Sequence, residues 1–105
     1  MNYNDEDFLR RIVGVGTLGY SLEKIMNVLD IPTADMKSFT DEFYNKNSEV
    51  YRAYKKGIDK ADYVIDMKLF EEAKSGNIRA LKKYEERKDK EIYRQRRAQT
   101  LKDEE

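Results

Sequence analysis

Cysteine, histidine and tryptophan are all missing from this chain. Without the first two there can be no disulfide, no Cys/His zinc site, no thiol nucleophile and no Ser-His-Asp triad. One proline, Pro32, and five glycines are too few for the many turns of an all-β fold. No apolar run approaches the roughly 18 residues a membrane span needs. The start, MNYNDEDF, is acidic and lacks the apolar core of a signal peptide. The expectation is a soluble, cytoplasmic protein with no membrane partner.

What the sequence does hold is charge, at 40% of its 105 residues and with a net of zero. The balance is uneven along the chain. Residues 1–47 carry net −3, residues 48–77 carry zero, and residues 78–102 carry net +6, before the acidic end returns −3. Such an asymmetry speaks to partners more than to fold.

Periodicity predicts five helices and an all-α fold. Acids in the first turn and Phe8, Leu9, Ile12, Val13 and Leu18 mark a helix over about 5–18, closed by Gly19. Gly14 and Gly16 weaken that helix by roughly 1 kcal/mol each, which suggests close approach of a neighbouring backbone. Ser21 should cap a second helix, Leu22 to Leu29, facing inward with Leu22, Ile25, Met26 and Leu29. Asp30-Ile31-Pro32-Thr33 reads as a turn, with Thr33 capping a third helix over about 34–46 that buries Met36, Phe39, Phe43 and Tyr44.

Ser48 should cap a long fourth helix reaching about Lys74. One stripe on it holds Tyr54, Ile58, Ala61, Ile65, Leu69 and Ala73, and a second holds Tyr63, Met67 and Phe70. Two stripes imply a helix contacted from two sides. Ser75-Gly76-Asn77 breaks it, with Gly76 suited to close the fourth helix and Asn77 to cap a fifth that starts at Ile78, amphipathic through Leu81 and Tyr84 and then largely charged.

Chemical motifs are sparse. GVGTLG at 14–19 matches the dinucleotide fingerprint by letter, but a helix-like segment precedes it where the motif needs a strand. Asp59, Asp62 and Asp66 share a helical face and read as a solvated surface, with Lys55 and Lys56 one turn before. No catalytic residue, metal site or cofactor is expected, and hence no enzyme.

Two features point to nucleic acid. Residues 19–39, GYSLEKIMNVLDIPTADMKSF, have the helix, turn and helix of a DNA-recognition unit, which would present Thr33, Ala34, Lys37 and Ser38 to the groove. Asp35 and Asp41 are poor neighbours for phosphates there. In the basic run KKYEERKDKEIYRQRR at 82–97, Arg94, Arg96 and Arg97 form a candidate backbone-contacting cluster. The same run also supports helical pairs such as Glu86 with Lys90 and Lys82 with Glu85.

The order of these parts resembles the small subunit of phage DNA-packaging terminases. The helix-turn-helix is followed by a phrase like A-Y-x-x-G (Ala53, Tyr54, Gly57). A phrase like L-x-x-x-A-x-x-G-N-x-x-A-x-x-x-Y comes next (Leu69, Ala73, Gly76, Asn77, Ala80, Tyr84). The resemblance covers about residues 8–88. It implies a helix-turn-helix domain over 1–47, an antiparallel helical hairpin over 48–88 and a charged helix or tail over 89–105. It further implies a non-enzymatic homo-oligomeric ring in the bacterial host cytoplasm that recognises viral double-stranded DNA and regulates a large ATPase–nuclease subunit. The ring contacts would come from Tyr54, Ile58, Ala61, Tyr63, Ile65, Met67, Leu69 and Phe70. A small dimeric prophage transcription regulator using the same recognition helix is the alternative.

Overall fold

A computed structural model of the chain describes residues 1–103, which contain five α-helices, one 3-10 turn and no strand. The all-α expectation is met. Residues 104–105, the end of the expected charged tail, lie outside the described residues. Helix α1 (Glu6–Thr17) starts where Asp5 accepts a hydrogen bond from the Phe8 amide at 2.9 Å. That cap and the acids Glu6 and Asp7 answer the partial positive charge of the helix start. Helix α2 (Leu22–Val28) is capped by Ser21, whose hydroxyl accepts from the Lys24 amide.

Both helices end in the same closure. After α1, the Gly19 and Tyr20 amides donate back to the Gly16 and Val15 carbonyls, with Gly19 at φ +67°. After α2, the Asp30 and Ile31 amides reach the Asn27 and Met26 carbonyls, with Asp30 at φ +53°. This closure places one residue in the left-handed region, where glycine is at ease and an aspartate carries strain.

A 3-10 turn over Thr33–Asp35 then leads into α3 (Met36–Tyr44). Thr33 does not cap α3, contrary to the sequence expectation. It lies inside the 3-10 turn, where the Asp35 amide bonds to the Pro32 carbonyl at 2.8 Å, and neither Pro32 nor Asp35 caps through its side chain. Tyr44 also departs from expectation, being 68% exposed at the last position of α3.

Ser48 joins α3 to α4 (Glu49–Lys74). Its buried hydroxyl donates to the Glu42 carbonyl and accepts from the Tyr51 amide at 3.0 Å. Gly76, at φ +100°, closes α4, and Asn77 caps α5 (Ile78–Asp103) by accepting from the Ala80 amide.

The chain divides into two compact units, Met1–Asp62 and Tyr63–Glu105, so the boundary falls within α4. The first unit runs past the 1–47 division read from the sequence, because Val50, Ala53 and Gly57 of α4 are buried in it. Its core centres on Ile12, Ile25, Phe39 and Val50, none with measurable exposure, and on a chain of rings from Tyr3 and Phe8 through Phe39 and Phe43 to Tyr54.

The close approach anticipated for α1 occurs at Gly16 and not at Gly14. A Cβ on Gly16 would strike the Tyr54 carbonyl, and one on Gly57 would strike the Val13 carbonyl, whereas Gly14 faces open space. Gly16 and Gly57 thus let α1 and α4 cross backbone to backbone. The Thr17 hydroxyl donates to the Val13 carbonyl and also lies 3.4 Å from that of Gly57.

The second unit is built differently. Phe70 packs on Tyr84 with ring centroids 5.5 Å apart, and Arg87 pairs with Asp66. As the contact position falls from 70 to 66 on α4, its partner rises from 84 to 87 on α5. Among its described residues no large apolar side chain is buried, and only Ala80 is.

Candidate nucleic-acid interface and assembly surface

The end of α3 is held from below. Ile31 is buried beneath the turn, and Phe39 anchors the first turns of α3 to the core. Those anchors leave Thr33, Ala34, Lys37 and Ser38 all exposed on one short stretch, as contact residues would need to be. Asp41 is exposed as well and Asp35 is half-buried. One residue that sequence reasoning missed also lies here. The Tyr3 hydroxyl is 2.5 Å from that of Ser38.

The apolar positions of α4 divide between the two units. Ile58 and Ala61 are half-buried in the first. Tyr54 is engaged there too, donating its hydroxyl proton to the Tyr20 carbonyl at 2.7 Å while its ring packs on Phe43 at 4.9 Å. In the second unit, Leu69 is half-buried, and Tyr63, Ile65, Met67 and Phe70 are exposed. Val64, absent from both predicted stripes, is 64% exposed and extends that apolar surface. A lysine flanks it, with the Lys74 ammonium 5.3 Å from the Phe70 ring centre.

On α5, Arg94, Arg96 and Arg97 are exposed. Arg94 lies 3.9 Å from Glu91, and Lys83 lies 3.7 Å from Glu86. These pairs replace the Glu86–Lys90 and Lys82–Glu85 pairs expected from spacing. Both are exposed, and pairs of that kind contribute at most about 1 kcal/mol. Arg96 and Arg97 make no salt bridge among the described residues. A groove of about 290 Å³ runs along the second unit, where Asp66 and Glu91 face Arg87 and Lys88. Its charges offset one another, so it favours neither anion nor cation.

The remaining motifs resolve simply. Gly14 and Gly16 of GVGTLG lie within α1, so no strand precedes the glycines and the phosphate-cradling turn is not formed. Asp59 pairs with Lys55 at 3.1 Å and Asp66 with Arg87. No group of three carboxylates that could hold a metal ion occurs among the described residues. No helix there is long and apolar enough to cross a membrane. Comparison with family models, curated proteins and solved structures returned no match to this chain.

Proposed function

We propose that this chain is a non-catalytic small subunit of a phage DNA-packaging terminase. In this reading α2, the turn and α3 act as a helix-turn-helix, and α4 and α5 as an antiparallel hairpin through which copies assemble into a ring. The observation that carries it is the exposed apolar surface of α4, formed by Tyr63, Val64, Met67 and Phe70. A chain able to bury Phe39 and Ile25 completely leaves Tyr63 and Val64 66% and 64% exposed and Met67 and Phe70 40% and 37% exposed, which fits a helix face reserved for neighbouring subunits.

Recognition would start from the weak contacts of Thr33, Ala34 and Lys37, multiplied by subunit number, since linked sites gain avidity without new contacts. Arg94, Arg96 and Arg97 would add sequence-independent attraction to phosphates. The assembled ring would regulate a large ATPase–nuclease subunit in the cytoplasm of the bacterial host, and would itself hydrolyse nothing. A dimeric transcription regulator would use the same end of α3, and subunit number separates the two readings.

Light scattering after size exclusion at micromolar concentration should give an assembly larger than a dimer. Replacing Met67 and Phe70 together by glutamate should reduce it to monomers while the helical signal of the first unit persists. A 12.5 kDa monomer at every concentration overturns the proposal, and a dimer favours the regulator. Replacing the three arginines by glutamine should flatten the dependence of log affinity on log salt, by up to about 0.9 for each phosphate no longer neutralised.

A further inference from the structure

The hydroxyl of Ser38 is engaged twice. It donates to the Asp35 carbonyl one turn earlier, at 3.0 Å. A serine has a single hydroxyl proton, so the 2.5 Å hydrogen bond with Tyr3 must be donated by the tyrosine. Tyr3 is fixed in place by its ring, which stands 6.2 Å from Phe8 and 6.3 Å from the fully buried Phe39, centre to centre. The backbone around it is fixed too, with the Asn4 amide on the Asn2 side-chain oxygen at 3.0 Å and the Asp5 amide turned back to the Asn2 carbonyl. A residue 35 positions away in sequence is therefore part of the exposed end of α3.

Both hydroxyl protons are thus engaged within the protein, so the two oxygens present only lone pairs to whatever approaches. Asp41, three residues beyond Ser38 on the same side of α3, adds an exposed carboxylate, also an acceptor. In the major groove, guanine offers acceptors at N7 and O6 and thymine offers one at O4, whereas cytosine N4 and adenine N6 carry amino donors. Resting on the DNA-recognition reading above, we propose that Tyr3 and Ser38 form an acceptor pair. It selects a base whose exocyclic amino group lies in the major groove, cytosine or adenine, and rejects guanine at the same position. The acidic character of α3 then follows from what is read, because a carboxylate accepts from a base amino group in the groove even though it repels the flanking phosphates.

The test uses the full chain and the duplex it prefers from a random-sequence pool. Single cytosines are replaced by the analogue lacking the 4-amino group, and single adenines by the analogue lacking the 6-amino group. One position should exist where amino deletion weakens wild-type binding about 5- to 100-fold, the range expected for a good base contact. Which analogue does so identifies the base. Tyr3→Phe keeps the ring in place, should bind the preferred duplex more weakly than wild type does, and should be indifferent to that deletion. Ser38→Ala should behave alike, and it carries the test if Tyr3→Phe loses helical signal. Undiminished sensitivity in the substituted protein overturns the proposal, as does a wild type indifferent to every amino deletion. A wild type that binds no duplex at any salt concentration instead overturns the DNA reading itself, and this proposal falls with it.

Discussion

Nine of the ten buried apolar side chains lie between Phe8 and Ala53, while Ala80 is the single one beyond Asp62 among the described residues. The exposed large apolar side chains are distributed the other way, with Tyr63, Val64, Ile65, Met67 and Phe70 all on the second half of α4. The two units are thus helical for different reasons. In the first, short helices of seven to twelve residues are held by burial, since isolated helices of that length are marginal in water. In the second, α5 is rich in lysine, arginine, glutamate and glutamine, good helix formers whose neighbouring pairs add a few tenths of a kcal/mol each. A unit with so small a core owes its persistence to propensity and to whatever covers its apolar face.

The sharpest way to break this comparison is to truncate one phenylalanine in each unit. Phe39→Ala removes a fully buried ring and should cost about 3–5 kcal/mol of unfolding free energy, a large share of what a domain of this size holds. Phe70 is 37% exposed and its main partner is Tyr84, so Phe70→Ala should cost about 1 kcal/mol in the isolated chain. Urea unfolding followed by circular dichroism measures both. Equal costs would mean that the second unit is cemented as firmly as the first.

Two glycines in the first unit test how its helices meet. Gly57→Ala drives a methyl group into the backbone of Val13 and Thr17, and overpacking of that kind should cost about 1–3 kcal/mol or more, as backbone atoms yield little. Gly14→Ala meets nothing and should stabilise α1 by about 0.5–1 kcal/mol. The same substitution at two helical glycines thus has opposite signs, and a thermal melt of each variant reads the sign directly. If Gly57→Ala is neutral or stabilising, α1 and α4 do not cross at Gly16 and Gly57, and if Gly14→Ala destabilises, Gly14 does not face open space.

What is legible in the sequence is local. Ser21, Ser48 and Asn77 cap helices because a short polar side chain needs only the amides two or three residues ahead. Glycine spacing in α1 signals a close crossing, but Gly14 and Gly16 carry the same letter, and only the partner helix decides which of them it touches. Thr33 fails as a cap because Pro32 starts a 3-10 turn one residue earlier than a simple cap would. Tyr3 is invisible as a site residue, since nothing local links it to Ser38. The apolar stripes of α4 are readable as apolar. Their exposure in the second unit is not, because periodicity records which residues share a face and is silent on what covers it.

The smallest effect concerns the strained residue of the first unit. Asp30 closes α2 from the left-handed region at φ +53°, a conformation that costs a side-chain-bearing residue about 1 kcal/mol. Its carboxylate also stands at the C-terminal end of α2, where the helix dipole disfavours negative charge by about 0.3–1 kcal/mol. Asp30→Asn removes only the charge and should stabilise by about 0.3–0.5 kcal/mol, less at high salt. Asp30→Gly removes both penalties and adds the greater unfolded-state freedom of glycine, which offsets about 0.4–1 kcal/mol. The net gain for glycine should therefore be about 0.3–1.6 kcal/mol at low salt, falling at high salt to the about 0–0.6 kcal/mol that the backbone term leaves. Denaturant midpoints of the two variants at low and high salt separate the terms, and a destabilised Asp30→Gly would show that the aspartate side chain supports the turn it strains.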